Sequence, residues 1–359
     1  MNIHVLDQQL NLLGIIDEYV SNIWRPAYYD IGDFELYLKA SPEAVALLQK
    51  NRYLVRERDI AVDDEGSVTY KKVMIIKNLR ITTDYENGDF LTVKGRELKY
   101  LLHQRIIWGQ SIISDSVEYA LRRLIGSNAI NPVEPTRTIP NMQHAEPKGY
   151  PEQIELQISN KQLDVAVSDI CKTYNYGWDI YIKNNKLTVD IYKGVDRSYN
   201  QTERPYVVFS DDFDNLFSTE YAYSNEEYAN MTLVGGEGEG LDRIYAYVNN
   251  ELEGLERYEV FTDARDLSQN LDSEEEAISH EDYLALLEER GRENIAGMTI
   301  TEGFSGEVID VNFKYGTDFN LGDVVTVINK YGIGKDARVL SVIESVDDSG
   351  VKVIPQFNI

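Results

Sequence analysis

The feature that most constrains this chain is the recurrence, at both of its ends, of short runs rich in β-branched and aromatic residues broken by tight-turn chemistry. Ile60-Ala61-Val62 and Val68-Thr69-Tyr70 flank Asp63-Asp64-Glu65-Gly66, and Asn87-Gly88 separates a run ending near Asp84 from one beginning at Phe90. Gly and Asn accept the positive φ that a tight hairpin needs, so both segments predict antiparallel strand pairs. The other end repeats the pattern: Val324 to Ile328, Ala337 to Val346, then Asp347-Asp348-Ser349-Gly350 before Val351 to Phe357. The turns at 63–66 and 347–350 are alike, which points to two modules of related design without establishing a repeat.

One helix interrupts the N-terminal strands. Ser41 is its N-cap, Pro42 its first residue, and Ala44, Val45, Leu47 and Leu48 its apolar side. A small β-barrel plugged by this helix is the expectation for 1–95. From Gly95 the apolar period lengthens to about 3.6. Leu98, Leu101, Leu102 and Ile106 recur at helical spacing, and a second helix is predicted with Asp115 and Glu118 as a capping box and Gly126 as its stop. Residues 131–152, with five prolines, read as an ordered surface excursion. A further helical stripe (Leu163, Ala166, Val167, Ile170, Tyr174) precedes two alternating runs around Asn184-Asn185, so 96–204 reads as an α+β domain. Residues 205–240 and 296–359 are expected to form a second β-barrel, with Gly235-Gly236-Glu237-Gly238-Glu239-Gly240 as a wide hairpin or crossing point. Between them, 241–295 is an acidic inserted excursion holding Glu274-Glu275-Glu276 and a helix capped by Ser279 and Asp282. The fold class is therefore α+β, mainly β, with two small β-barrel domains and an α+β domain and acidic helical excursion between them.

Length and charge narrow the function. At 359 residues the chain exceeds the size at which single cores stop growing. Lys+Arg of 35 against Asp+Glu of 61 leaves a net charge of -26, which repels nucleic-acid backbones and anionic lipid alike. The 43% hydrophobic content excludes an acidic disordered chain. No apolar run approaches the roughly 18 to 20 residues that span a bilayer, so membrane insertion is not expected. A lone cysteine, Cys171, forms no intramolecular disulfide, and the start has no signal-like segment, so a reducing cytoplasm is expected for folding. The 25 tyrosines suit half-buried strands and protein interfaces equally.

The search for chemistry is mostly negative. His4, His103, His144 and His280 are isolated, with no ligand spacing to each other or to Cys171, so neither a metal nor a cofactor site is expected. Asp211-Asp212-Phe213-Asp214-Asn215 lacks the glycine and distal glutamate of a calcium loop and reads as a solvated turn. The glycine run at 235–240 places Glu237 and Glu239 where a phosphate would sit, and no Lys-Ser/Thr follows, so it is a structural motif. Ser116, Ser127, Ser210 and Ser305 occupy no nucleophile elbow. No motif supports a carboxylate pair at glycosidase separation. The acidic helix near 279–292 reads first as a solvated outer face and second as a docking surface for a basic partner.

Four motifs in order do carry a resemblance: Ile31 to Leu38, Leu91 to Ile107 leaving the first strand-rich module, Leu233 to Gly240, and Leu321-Gly322-Asp323 through Val327 followed by Ala337 to Ser345. Together they resemble the siphophage tail-hub, or baseplate-hub, family along nearly the whole chain. The resemblance implies a homotrimer whose two β domains per chain form a pseudo-sixfold ring. It would sit beneath a hexameric distal tail protein and contact the tape-measure protein or receptor-binding and fibre proteins. Because the last predicted strand ends close to Ile359, a hub alone is expected, from a phage, a prophage or a tail-like device. An acidic lumen would suit passage of DNA. The competing reading is a carbohydrate-binding or carbohydrate-degrading tail protein.

Overall fold

The protein is described here by a computed structural model covering residues 2–86, 88–269, 278–308 and 312–358. Asn87, the Glu274-Glu275-Glu276 run and most of the strand expected over 308–311 lie outside these residues.

The N-terminal strands are β1 (Ile3–Leu6), β2 (Leu12–Ile16), β3 (Ser21–Arg25), β4 (Asp33–Lys39) and β5 (Tyr53–Arg56), with helix α1 (Pro42–Leu47) between the last two. Ser41 caps α1 as expected, its side chain accepting from the Ala44 amide. Next come β6 (Ile60–Val62), β7 (Val68–Tyr70), β8 (Met74–Thr82) and β9 (Phe90–Glu97). In β4, Phe34, Leu36 and Leu38 alternate inward, as a strand with one buried face requires. β5 is buried at all four positions. The cause is that this sheet is covered on both sides: Leu54 faces a core of Trp24, Phe34 and Leu36, while Tyr53 and Val55 pack with the helical unit that follows.

That unit contains β10 (Gln110–Ser116), β11 (Met142–His144), β12 (Gln153–Ser159), β13 (Gly177–Lys183) and β14 (Lys186–Tyr192), with helices α2 (Tyr100–His103), α3 (Val117–Ile125) and α4 (Leu163–Tyr174). The hairpin β6–β7, expected beside the N-terminal strands, pairs instead with β13, through Ile182 opposite Tyr70. Two local expectations change. The N-cap of α3 is Ser116, the last residue of β10, whose side chain accepts from the Tyr119 amide, one position later than Asp115. Glu118 turns away to accept from the amides of Lys148, Gly149 and Tyr150. Gly126 does not stop the helix; its right-handed backbone leads into a wider turn over Gly126–Ile130. The Asn184-Asn185 turn is as expected, both residues taking positive φ.

The remaining elements are β15 (Val208–Ser210), β16 (Leu216–Ser224), β17 (Met231–Gly235), β18 (Tyr245–Val248), β19 (Glu259–Asp263), α5 (His280–Ala296), β20 (Thr301–Val308), β21 (Val324–Ile328), β22 (Gly334–Asp347) and β23 (Gly350–Asn358). β17, β18 and β19 form a small sheet against α5, whose Tyr283, Leu286 and Leu287 are buried over Val234 and Ala246. The others enclose a separate core of Phe209, Phe304, Phe319 and Phe357.

Mainly β with added helices is the observed class, but no sheet among the described residues closes into a barrel. One open path runs β16-β20-β23-β22-β3-β4-β9-β8-β5-β1-β2. The reason is at β3: one edge pairs with β4 and the other with β22, so it is not available to close onto β2. The two ends of the chain thus share one sheet.

Candidate functional site: the junction of the chain ends

The place where the N-terminal and C-terminal strands meet holds a cluster of buried polar groups, among them Asn22, Arg56, Ser341 and Glu344. Pairing runs from Asn22–Trp24 against Glu344–Val346, and continues through the Ala27–Ser341 bridge and the Tyr28 amide donating to the Leu340 carbonyl at 2.7 Å. Over this seam Arg56, fully buried, donates from Nε to Asp59 at 2.6 Å and from Nη2 to Glu344 at 2.8 Å, with its guanidinium 5.0 Å from the Trp24 ring. Arg58 pairs with the same glutamate. Lys72 adds a cation 3.8 Å from the Tyr315 ring, and burial lowers its amine to about 7 despite Asp59 nearby. Glu344 of β22 is thereby held by Arg56 and Arg58 of the N-terminal half.

Of the residues singled out in the sequence, Leu321-Gly322-Asp323 falls at this junction. Gly322 takes φ +85 and sits where a Cβ would lie 2.2 Å from the Tyr28 ring, so only glycine fits without displacing it. Its neighbour Asp323, almost fully buried, accepts from the Val195 amide at 2.8 Å, the Asn320 amide at 2.9 Å and Arg197 Nε at 3.1 Å. Tyr28 completes the node, accepting from the Gly194 amide and donating to the Asn175 carbonyl, both at 3.1 Å. Three parts of the chain, near residues 28, 194 and 322, are thereby locked together.

The glycine run lies elsewhere and shapes the small acidic unit. Gly235 ends β17 opposite Tyr245, so the wide hairpin is present. A side chain at Gly236 would meet the Tyr283 hydroxyl and Leu287, which shows why α5 can approach so closely. Gly238 and Gly240 take positive φ in the turn. The Glu237 amide donates to the Tyr283 hydroxyl at 2.8 Å, the Glu237 carboxylate accepts from the Gln269 amide at 3.2 Å, and Glu239 stays exposed.

Several of the serines and histidines singled out in the sequence make structural contacts. His103 Nδ1 lies 2.9 Å from Asp164, yet the nearby Ser168 hydroxyl donates to the Tyr29 carbonyl at 3.0 Å. Ser116 caps α3, Ser127 bonds the Arg123 carbonyl and Ser210 accepts from the Asp212 amide. Burial lowers His144 to about 4 and raises the Cys171 thiol. Among the described residues no group of three or more His, Cys, Asp or Glu is placed to hold a metal ion. No helix among them is long and apolar enough to cross a membrane. In the 211–215 segment, Asn215 is buried and bonds the Ser210 amide and the Val208 carbonyl, a structural turn.

Comparison with known proteins decides the family. A family model for the siphovirus ReqiPepy6 Gp37-like protein matches residues 2–357. The chain belongs to this family of siphovirus tail proteins. Among solved structures it is similar to the 43 kDa tail protein of prophage MuSo2 from Shewanella oneidensis, at TM-score 0.59 and 12% identity over 99% of this chain and 98% of that one. It is also similar to a tail protein from Neisseria meningitidis MC58, at TM-score 0.60 and 13% identity over 99% and 96%. The prophage tail protein gp18 of Listeria monocytogenes EGD-e aligns at TM-score 0.53 and 11% identity over 99% and 94%. At such identities the likeness is one of fold. Comparison with curated proteins found no match in sequence.

Proposed function

We propose that this tail protein is a structural, non-enzymatic baseplate hub at the virion tail tip, assembled in the bacterial cytoplasm as a homotrimer. The observation that supports the reading is the seam between β3 and β22: taking the strands on its two sides as two β modules, three chains would present six. A ring of six related modules would match a hexameric distal tail protein above it. The tape-measure protein and receptor-binding or fibre proteins are the other expected neighbours. The Gly322–Asp323 node and the 235–240 glycine hairpin serve this role as scaffold. We assign β1–β5, α1, β8 and β9 to one β module, β15, β16 and β20–β23 to the other, β10–β14 with α2–α4 and the β6–β7 hairpin to the α+β domain, and β17–β19 with α5 to the acidic excursion, which moves β6–β7 and β17 across the bounds expected from sequence. The net charge of -26 suits a channel through which DNA leaves, since a negative lumen does not retain phosphate.

Negative-stain imaging of the purified protein tests the proposal. A threefold ring with a central hole is expected. Isolated particles of single-chain size, at concentrations where tails assemble, would overturn it.

A further inference from the structure

The sheet path has two free ends, and they differ. β2, Leu-Leu-Gly-Ile-Ile, pairs among the described residues only with β1, and Leu12, Leu13 and Ile15 are 54%, 43% and 45% exposed. It carries no charge, lysine or proline, the features by which edge strands are ordinarily blunted. Beside it a groove of about 450 Å³ opens between the end of β2, the following loop, β4 and α1. Its floor is Ile15, Ile16, Leu38, Ala44 and Leu47; its mouth carries Asp17, Glu18 and Glu43, with Lys39 also on the rim. Those three carboxylates are exposed and make no ion pair among the described residues. The opposite end, β16, contains Glu220 and is bordered by Asp211, Asp212, Asp214, Glu226 and Glu227. Joining β16 of a second copy to β2 would bring acid to acid in a chain already at -26.

We propose that the β2 edge and its groove bind an extended segment of another protein, with alternate apolar side chains facing the groove and lysine or arginine meeting Asp17, Glu18 and Glu43. Main-chain hydrogen bonds would lengthen the sheet by one strand, and the groove and its charge would select the sequence. This goes beyond the hub reading and does not depend on it.

Fluorescence anisotropy of the full chain with a fluorescein-labelled nonapeptide of alternating valine and lysine tests the proposal, with a valine–glutamate nonapeptide and a proline-interrupted version as controls. Saturable binding of the valine–lysine peptide alone is expected, weakened at least tenfold by Leu13→Asp and by the pair Glu18→Lys and Glu43→Lys. All these positions are exposed, so thermal melts should show the variants folded. Equal binding of both charged peptides, or binding indifferent to the variants, would overturn the proposal. So would self-association lost in Leu13→Asp without any peptide binding, which would assign the edge to a second copy. Oligomeric mass measured on the same samples separates this outcome from failure of the hub reading.

Discussion

Individual side chains at the junction carry unequal weight. Arg56 and Glu344 are both buried, so Glu344→Gln leaves a buried cation short of its partner and should destabilise the protein by about 3–5 kcal/mol. Replacing the pair together by Met and Leu should cost less, because the charges left behind are met otherwise: Asp59 by Lys72 at 3.9 Å and Arg58, 39% exposed, by solvent. Denaturant melts of the three proteins check this, and an equal loss in single and double variants would contradict it. Gly322→Ala combines a φ of +85 with a Cβ 2.2 Å from the Tyr28 ring, so a loss larger than the ~1 kcal/mol of an unfavourable backbone substitution alone is expected. A variant as stable as the parent in the same melts would show that the node yields easily.

Among elements, α5 offers the clearest pH dependence. It packs beside α4, where the Tyr174 hydroxyl donates to Glu289 at 2.9 Å. Burial, with Glu289 and Asp169 adding to it and Lys161 and Arg290 opposing, pushes the Glu293 carboxyl from 4.5 up to about 7. The folded chain then keeps a proton that the unfolded chain releases, so this group's contribution falls as pH rises from about 4.5 to about 7. Glu293→Gln should abolish that fall: parent and variant melting temperatures should diverge between pH 5 and pH 7.5, the parent losing more. A constant difference would refute the assignment. Elements whose signal is local were legible in the sequence: the Ser41-Pro42 start of α1, the stripe of α4, the Asn184-Asn185 hairpin and the Ser279 cap of α5. Elements decided by distant partners were not. β5 gives no alternation because both its faces are covered, β12 gave no turn signal of its own, and β6–β7 reads as local although its partner β13 lies more than a hundred residues on. The family was legible in four ordered motifs, of which the last, Leu321 to Val327 with Ala337 to Ser345, supplies Gly322, Asp323 and Glu344 to the junction. Arg56 and Tyr28 had no motif to announce them.

At the scale of the whole molecule, the barrels expected at each end give way to one open sheet because β3 spends its second edge on β22. That pairing joins strands more than three hundred residues apart in one sheet. If the modules ring a DNA channel, the surface facing it should be acidic in the assembled ring, and a neutral or basic lumen in a reconstruction would contradict that part of the reading. The central claim is that this chain is one third of a ring. Sedimentation-velocity mass of the purified protein tests it most directly: a species of three times the chain mass is predicted, and a monomer persisting at assembly concentrations would contradict it.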